Sequence, residues 1–139
     1  MASRRTVQAP SLESCMTGLT FDTGALIALE RRHQRIARVY STAVADGIPV
    51  TVPAVVITEW WRGRTDARDT ILRGLRIEPT IEPLAKLAGQ ALAAVPGASA
   101  VHAIVMASAA RRGDIVYTSD IRDLDRLRTF FPGVKLLAV

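Results

Sequence analysis

Cysteine and lysine are scarce in this chain, and long apolar runs are absent. Cys15 is the only cysteine in 139 residues. A single cysteine excludes an internal disulfide framework and a zinc cluster of thiolates. It also suits a reducing cytosol, so we expect a cytoplasmic protein. No apolar run approaches the roughly 18 residues that a membrane-spanning helix needs, and we expect no membrane partner.

The amino terminus lacks the features of a secretory signal. Arg4 and Arg5 are not followed by the apolar segment that such a signal requires. We interpret residues 1–17 as a flexible tail and residues 18–139 as a single domain, because a chain of this length provides one hydrophobic core. The composition, 49% hydrophobic and 22% charged, is that of a folded domain rather than a disordered chain.

Arginine carries almost all of the positive charge. Lys86 and Lys135 are the only lysines among 18 basic residues, and the formal net charge is +5. The planar guanidinium of arginine forms paired hydrogen bonds with phosphate, so this composition fits a polyanion such as nucleic acid. A genome rich in G and C, whose codons favour arginine, explains the composition equally well. The charge therefore supports nucleic-acid binding only weakly.

Segments with strand character alternate with helical segments along the chain. The predicted strands are 19–22, 50–52, 75–78, 114–118 and 134–137. The first predicted helix is 23–29. The arginine-rich segment 31–38 leads into a second helix that ends near residue 46. The remaining predicted helices are 54–62, 65–73, 82–93, 100–111 and 123–130. Such alternation predicts a three-layer α/β/α fold with a central, mainly parallel sheet.

Three residues mark the ends of predicted elements. Ser99 is a favourable N-cap for the helix that follows it, and Gly113 provides a stop for the same helix. Pro53 is placed to be the first residue of the next helix, a position where proline is tolerated.

Acidic residues follow two of the predicted strands. Asp22 ends the first strand, and Asp120 comes shortly after the strand that ends at Thr118. Each lies beside hydroxyl groups, Thr23 in the first case and Thr118 with Ser119 in the second. Ligands of open α/β sheets bind beyond the carboxyl ends of the strands, so these positions predict a site. A lone aspartate there is more often a helix cap.

Glu59 is a third acidic candidate. It follows Val55 and Val56 by four and three residues, which places its carboxylate on an apolar helix face. A position at the boundary of that face, with the carboxylate reaching solvent, is the alternative. Carboxylates gathered at one sheet edge repel one another unless a cation lies between them, and Mg²⁺ and Mn²⁺ prefer such oxygen ligands. A bound cation lowers the pKa of water and neutralises charge on a phosphate. This chemistry predicts hydrolysis of a phosphodiester by metal-activated water.

Four short motifs together resemble the PIN domain, and most closely the VapC-type toxins of bacterial toxin–antitoxin pairs. They are Leu-Thr-Phe-Asp-Thr at 19–23, Val-Ile-Thr-Glu at 56–59, Ala-Val-His-Ala at 100–103 and Tyr-Thr-Ser-Asp at 117–120. The resemblance covers nearly the whole chain after Thr17. It implies a PIN-like fold and a metal-dependent endoribonuclease that cuts tRNA, rRNA or mRNA.

The resemblance also implies ligands and partners. Mg²⁺ or Mn²⁺ is expected on Asp22, Glu59 and Asp120, with Asp123 as a further acid. A homodimer is expected, together with a cognate antitoxin that lays a segment into a groove near the active site. Trp60 and Trp61 are candidates for lining that groove. In the alternative interpretation, Trp60 belongs to the core and Trp61 is an incidental surface residue.

His102 departs from the family pattern. It occupies the third acidic position of the family, early in the helix that Ser99 caps. Imidazole suits Zn²⁺ or Mn²⁺ better than Mg²⁺. The alternative function is therefore a catalytically impaired PIN-like domain that binds RNA or an antitoxin without cutting.

Two other α/β classes fit less well. A phospho-accepting receiver domain needs an acidic pair around the first strand, and no second acid flanks Asp22, although Lys135 could supply its late lysine. A Rossmann-type nucleotide binder needs closely spaced glycines after the first strand, and the sequence Asp22-Thr23-Gly24 lacks them.

Overall fold

Five strands form one parallel sheet in the computed structural model, which describes residues 17–139. The tail predicted for residues 1–17 lies outside the described residues except for Thr17. The strand order is β3-β2-β1-β4-β5, and every neighbouring pair is parallel. The strands are β1 (Leu19–Phe21), β2 (Val50–Pro53), β3 (Arg76–Glu78), β4 (Ile115–Thr118) and β5 (Lys135–Ala138).

Seven helices connect and cover the strands within residues 17–139. They are α1 (Thr23–Glu30), α2 (Gln34–Ala45), α3 (Ala54–Trp60), α4 (Asp66–Arg73), α5 (Glu82–Ala94), α6 (Ala100–Arg112) and α7 (Ile121–Leu127). The predicted three-layer α/β/α architecture is confirmed. None of these helices combines the length and apolar content needed to cross a membrane.

The central strands are buried on both faces of the sheet. Phe21 of β1, Val52 of β2 and Val116 of β4 are fully buried. Strands covered on both faces by helices need apolar residues at successive positions, which is why these segments appear in the sequence as short apolar runs. β3, at the edge, is more exposed.

The ends of β1 and β4 lie side by side. Phe21 is paired in register with Tyr117, and the backbone N–H of Asp22 donates to the carbonyl of Tyr117 at 3.3 Å. Because the two strands are parallel, the residues that follow them emerge at the same edge of the sheet. The sheet therefore brings Asp22 close to Thr118.

Helix α6 begins and ends as the sequence predicts. The Ser99 hydroxyl accepts a hydrogen bond from the backbone N–H of His102 at 3.1 Å, and this cap fixes the first turn. Gly113 ends the helix at φ 75°, in the left-handed region that favours glycine. Six of the 13 residues of α6 are buried, so His102 is held on a helix that packs into the core.

Several predicted helix boundaries were wrong, and α3 ends at Trp60 instead of Arg62. Pro53 is the last residue of β2 rather than the first of a helix, because its ψ of 140° is extended. Helix α7 begins at Ile121 instead of Asp123 and ends at Leu127 instead of Phe130. Pro132 disfavours helical backbone in the residue before it, so the chain turns through Phe130 and Phe131.

Candidate active site

Asp22 is a buried carboxylate at the junction of β1 and α1. It is 2% exposed and occupies the N-cap position of α1, where Oδ1 accepts the backbone N–H of Ala25 at 3.1 Å. Oδ2 accepts a hydrogen bond from the hydroxyl of Thr118 at the end of β4. Both oxygens are thereby fixed, one by its own helix and one by the neighbouring strand.

The surroundings of Asp22 raise its pKa above the ordinary value. Burial is the largest cause, because it disfavours the charged carboxylate. The hydrogen bonds from Thr118 and Ala25 oppose this effect. The negative charge of Asp120 raises the pKa further, and His102 lowers it. Asp120 and His102 therefore lie close enough to Asp22 to act on its charge.

Asp120 and His102 meet above the end of β4. The backbone N–H of Asp120 donates to the Thr118 hydroxyl oxygen at 2.8 Å. The Asp120 carboxylate lies 3.4 Å from the Nε2 atom of His102, and their side chains are 49% and 20% exposed. Thr118 thus connects Asp22 to Asp120, and Asp120 connects them to the first turn of α6.

Glu59 lies near this group on the other side of α1. The hydroxyl of Thr23, the residue after Asp22, donates to Oε1 of Glu59 at 2.6 Å. The inference that Glu59 points toward the packed face of its helix was wrong, since its side chain is exposed. Glu59 lies one residue before the end of α3, and its carboxylate is open to solvent.

Two other predicted residues have different surroundings. Asp123 is exposed in the first turn of α7, and no hydrogen bond or ion pair within residues 17–139 connects it to the other acids. Ser119 packs against the start of α1, since a Cβ added to Gly24 would lie 1.9 Å from the Ser119 hydroxyl oxygen. Gly24 therefore allows β4 and α1 to approach closely.

The acids of this site differ from a second buried acid in having no arginine or lysine partner among the described residues. Asp114 forms an ion pair with Arg112 at 2.8 Å. Within residues 17–139, no arginine or lysine lies within salt-bridge distance of Asp22, Glu59 or Asp120. Uncompensated carboxylates in a partly buried position are a typical setting for a bound cation.

The carboxylates of Asp22, Glu59 and Asp120 are chemically suited to a divalent cation, but they do not lie in one close cluster. No three carboxylate, imidazole or thiol groups among the described residues lie close enough together to hold a metal ion. The raised pKa of Asp22, caused by burial and in part by Asp120, is the kind of electrostatic cost that a cation offsets. Carboxylate oxygens are the ligands that Mg²⁺ and Mn²⁺ prefer.

Trp60 and Trp61 occupy different environments. Trp60 is 3% exposed, and its indole N–H donates to Oε1 of Glu30 at 2.9 Å. Trp61 is half-buried, and its ring meets that of Trp60 edge to face at 6.0 Å. Trp60 also lines a cavity of about 380 Å³ that reaches Glu59. Trp60 is thus both a core residue and part of the cavity wall.

The sequence analysis did not single out the cationic residues around α1. Arg31, Arg32 and His33 follow α1 directly, and Arg62 follows α3. Arg31 and Arg62 line the cavity beside Glu59. The sequence feature that could have identified them is the run Arg31-Arg32-His33 between two predicted helices.

Comparison with known proteins gives matches in structure but not in sequence. No protein-family model matches the chain, and no curated protein matches it. A chain of the DNA-bound VapBC from Salmonella typhimurium is 16% identical, with a TM-score of 0.67 over 88% of this chain and 98% of that one.

Two further structures agree. A chain of VapBC2 from Rickettsia felis, bound to a promoter DNA fragment, is 12% identical, with a TM-score of 0.68 over 87% of this chain and 98% of that one. A chain of FitAcB from Neisseria gonorrhoeae is 20% identical, with a TM-score of 0.60 over 86% and 96%. Likeness at these identities establishes the fold, and the chain has the PIN-like three-layer α/β/α fold of these VapBC and FitAcB chains.

Proposed function

We propose that this chain is the toxin of a cytoplasmic toxin–antitoxin pair and that it cuts RNA with the help of Mg²⁺ or Mn²⁺. The observation that carries the proposal is the convergence of Asp22 and Asp120 on Thr118 at the carboxyl ends of β1 and β4. The shared fold supports it, since the similar chains come from VapBC and FitAcB structures. With no arginine or lysine within salt-bridge distance among residues 17–139, these carboxylates suit a cation.

Each residue has a distinct task in the proposed reaction. Asp22 and Asp120 would hold the cation, and Glu59, which accepts a hydrogen bond from the Thr23 hydroxyl, would supply a further carboxylate. Thr118 fixes Asp22 and the backbone of Asp120 in their relative positions. When bound, the cation neutralises charge on the phosphate and makes a nearby water more acidic. Water would attack the phosphorus directly, the P–O bond to one ribose oxygen would break, and that oxygen would leave with a proton, with no covalent enzyme intermediate.

A second candidate function is RNA or antitoxin binding without cleavage. The contact between His102 and Asp120 favours it, because an imidazole lies where the family pattern has an acid. Loss of that negative charge weakens attraction for Mg²⁺ in particular, since Mg²⁺ takes oxygen ligands. In this alternative, the chain has the same fold and partner surface but does not cleave RNA.

The proposed antitoxin would occupy the cavity beside Glu59. Trp60 forms part of the wall of this cavity, and half-buried Trp61 lies next to it. Half-buried Ile27 is a further apolar group in the wall. We also propose a homodimer. Sedimentation at high concentration tests the dimer, and a clean monomer would contradict it.

Cleavage of tRNA, rRNA and mRNA with Mg²⁺, Mn²⁺ or EDTA tests the proposed nuclease. We expect cutting that EDTA abolishes and that Asp22→Asn and Asp120→Asn both reduce. The matched control is Asp46→Asn, which removes the same charge from an exposed aspartate at the end of α2. If the wild-type chain binds RNA but cuts none with either metal, the second candidate function replaces the first.

A further inference from the structure

Every large apolar side chain that is exposed among residues 17–139 lies on or beside the edge strand β3. Ile77, in the middle of β3, is 41% exposed, and Ile81, three residues after the strand, is 48% exposed. Val44 of α2 is 49% exposed. It reaches the segment before β3, since a Cβ added to Gly74 would lie 3.4 Å from a methyl group of Val44. Apolar side chains that are exposed together in this way are typical of an interface.

The outer edge of β3 is open in the described chain. β3 pairs with β2 on one side and is the last strand of the sheet on the other. Among the described elements, β2 is the only one that makes extensive contact with it. The backbone N–H and C=O groups that point outward from an edge strand have no strand partner, so they are a template for pairing. A further strand at this edge would extend the sheet.

The opposite edge strand, β5, is better protected. Helix α7 packs against it, and the side chains of Leu136 and Leu137 are half-buried. Lys135 is exposed and is the only charged residue of β5. A lysine on an edge strand opposes pairing with another strand. Of the two edges, β3 is therefore the one suited to an interface.

The two charged residues of β3 face the same side of the sheet. Arg76 and Glu78 are two residues apart, and Ile77 between them faces the other side. Glu78 forms an ion pair with Arg112 at 2.9 Å, yet its side chain stays 24% exposed. Arg76 is exposed, and no carboxylate within residues 17–139 lies within salt-bridge distance of it. The strand thus presents an uncompensated positive charge and an accessible negative charge on either side of Ile77.

This order of charges is complementary to itself. When two β3 strands pair in antiparallel fashion about Ile77, Arg76 of each copy lies opposite Glu78 of the other. The two Ile77 side chains then lie opposite each other. Side chains in directly opposite positions have their Cβ atoms about 4.5–5.5 Å apart. The ladder ends where Leu75 meets Pro79, which has no N–H to donate.

We infer that two copies of this chain form a dimer by antiparallel pairing of their β3 strands, which joins the two five-stranded sheets edge to edge. The inference rests on the homodimer of the proposed function and adds the surface that forms it. In this register Gly74 lies opposite Thr80 of the second copy, so Val44 approaches the second copy's Ile81. The three exposed apolar side chains are thereby covered. Their burial provides affinity, and the ion pairs at the surface set the register.

A strand from a different protein fits these observations less well. It would cover the apolar side chains, but it would need opposite charges at two defined positions. A second copy supplies both charges by symmetry, as in other dimers with a two-fold axis. Because the paired strands run in opposite directions, the two copies of Asp22 lie at opposite edges of the joined sheet. The pairing therefore leaves both acidic sites uncovered.

Sedimentation velocity of the full chain over a range of concentrations tests the inference. Ile77→Lys places two lysines opposite each other, and Arg76→Glu places a glutamate opposite Glu78 of the second copy. Both residues are exposed, and circular dichroism with urea denaturation checks that each variant is folded. Arg122→Glu is the matched control, because it makes the same charge change at an exposed position of α7, beside the opposite edge of the sheet.

We expect Ile77→Lys and Arg76→Glu each to weaken the dimer by at least about tenfold, since like charges directly opposite on paired strands are unfavourable. Arg122→Glu should leave the dimer unchanged.

Disulfide cross-linking tests the register. Ile77→Cys is made together with Cys15→Ser, which removes the only natural cysteine. Opposite Cα atoms of an antiparallel pair are about 4.5–5.5 Å apart, within the range that a disulfide spans. We expect Ile77→Cys to give a covalent dimer on mild oxidation. Lys135→Cys, exposed on the other edge strand, should not.

Three outcomes would overturn the inference. A wild type that stays monomeric at high concentration contradicts both this surface and the proposed homodimer, and leaves the proposed nuclease unaffected. A dimer that persists unchanged in Ile77→Lys and Arg76→Glu keeps the homodimer but assigns it to another surface. Loss of a co-expressed antitoxin from these two variants, with the dimer intact, assigns the β3 edge to the antitoxin.

Discussion

The hydroxyl of Thr118 donates a hydrogen bond to Oδ2 of Asp22 across neighbouring ends of β4 and β1. The same hydroxyl oxygen accepts the backbone N–H of Asp120. Thr118 is fully buried, so its two partners are fixed by a group that water does not reach. One side chain thus sets the relative position of both strand-end acids, 96 and two residues away from it in sequence.

Thr118→Val should therefore damage both the fold and the site. Valine has the shape of threonine but leaves Oδ2 of Asp22 and the N–H of Asp120 without their partner. We expect a loss of about 1–3 kcal/mol in the free energy of unfolding, as for an unsatisfied buried group. Urea denaturation measures this loss. Thr118→Ser, which keeps the hydroxyl, is the control, and an equal loss in both variants would show that packing alone is responsible.

The raised pKa of Asp22 predicts how stability changes with pH in the absence of metal. Below about pH 3.8, the ordinary value for aspartate, Asp22 is protonated in both the folded and the unfolded chain. Above it, the unfolded chain loses this proton first, so the contribution of Asp22 to stability falls as the pH rises through its folded pKa. Asp22→Asn removes this effect and keeps a side chain that can cap α1.

The asparagine amide cannot accept both hydrogen bonds that the carboxylate accepts, and this loss does not depend on pH. We therefore expect the stability of the wild type relative to Asp22→Asn in EDTA to fall as the pH rises from 3.8 toward neutrality. Urea denaturation between pH 3 and pH 8 measures it. Asp46→Asn, at an exposed position, should show no such trend. A difference for Asp22→Asn that is constant over this range would contradict the cause assigned to the pKa shift.

The sequence was sufficient for much of the fold because its signals are local. Alternating apolar runs and helical segments predict the order of elements, and Ser99 and Gly113 bound α6 as expected. Local signals can also place the ends of helices and strands wrongly. Pro53 is an example, because a proline suits both the start of a helix and the end of a strand. The pairing of β2 with β3, in which Pro53 lies opposite Glu78, extends the strand to that residue.

The site was predictable only in part, because it depends on contacts between distant residues. Strand-end positions indicated Asp22 and Asp120. Nothing local showed that Arg112 compensates Asp114 and Glu78, whereas Asp22 and Asp120 have no arginine or lysine within salt-bridge distance in the described chain. The exposure of Glu59 also depends on where α3 ends, which its apolar spacing does not reveal.

Arg32→Gly should stabilise the protein. The residue has a φ of 60° directly after α1, and the left-handed conformation costs an L-residue about 1–2 kcal/mol. Glycine relieves this cost but adds entropy to the unfolded chain, so we expect a net gain of about 0.5–1 kcal/mol. Thermal and urea unfolding measure it. Arg35→Gly, within α2, is the matched control and should lose about 1 kcal/mol. A loss at both positions would contradict the prediction.

His102→Asp should raise Mg²⁺-dependent RNA cleavage. In the wild type, His102 places an imidazole 3.4 Å from the Asp120 carboxylate, next to Asp22. An aspartate there adds an oxygen ligand and a negative charge, both of which favour Mg²⁺. Residues that act together in one site have effects that are not additive, and each factor of ten in rate is about 1.4 kcal/mol of barrier. We expect a gain of at least about a hundredfold.

The controls for this prediction separate a metal effect from a general change in the protein. Adding Asp120→Asn to His102→Asp should remove the gain, because the site again lacks an acid. His102→Asn removes the imidazole without adding charge, so it should not reproduce the gain. Mg²⁺ binding by calorimetry should strengthen only in His102→Asp, a readout that does not depend on turnover. If the wild type and His102→Asp cut equally well, His102 lies outside the chemistry. If neither cuts RNA while Asp22, Glu59 and Asp120 are intact, the chain is a binding domain rather than a nuclease.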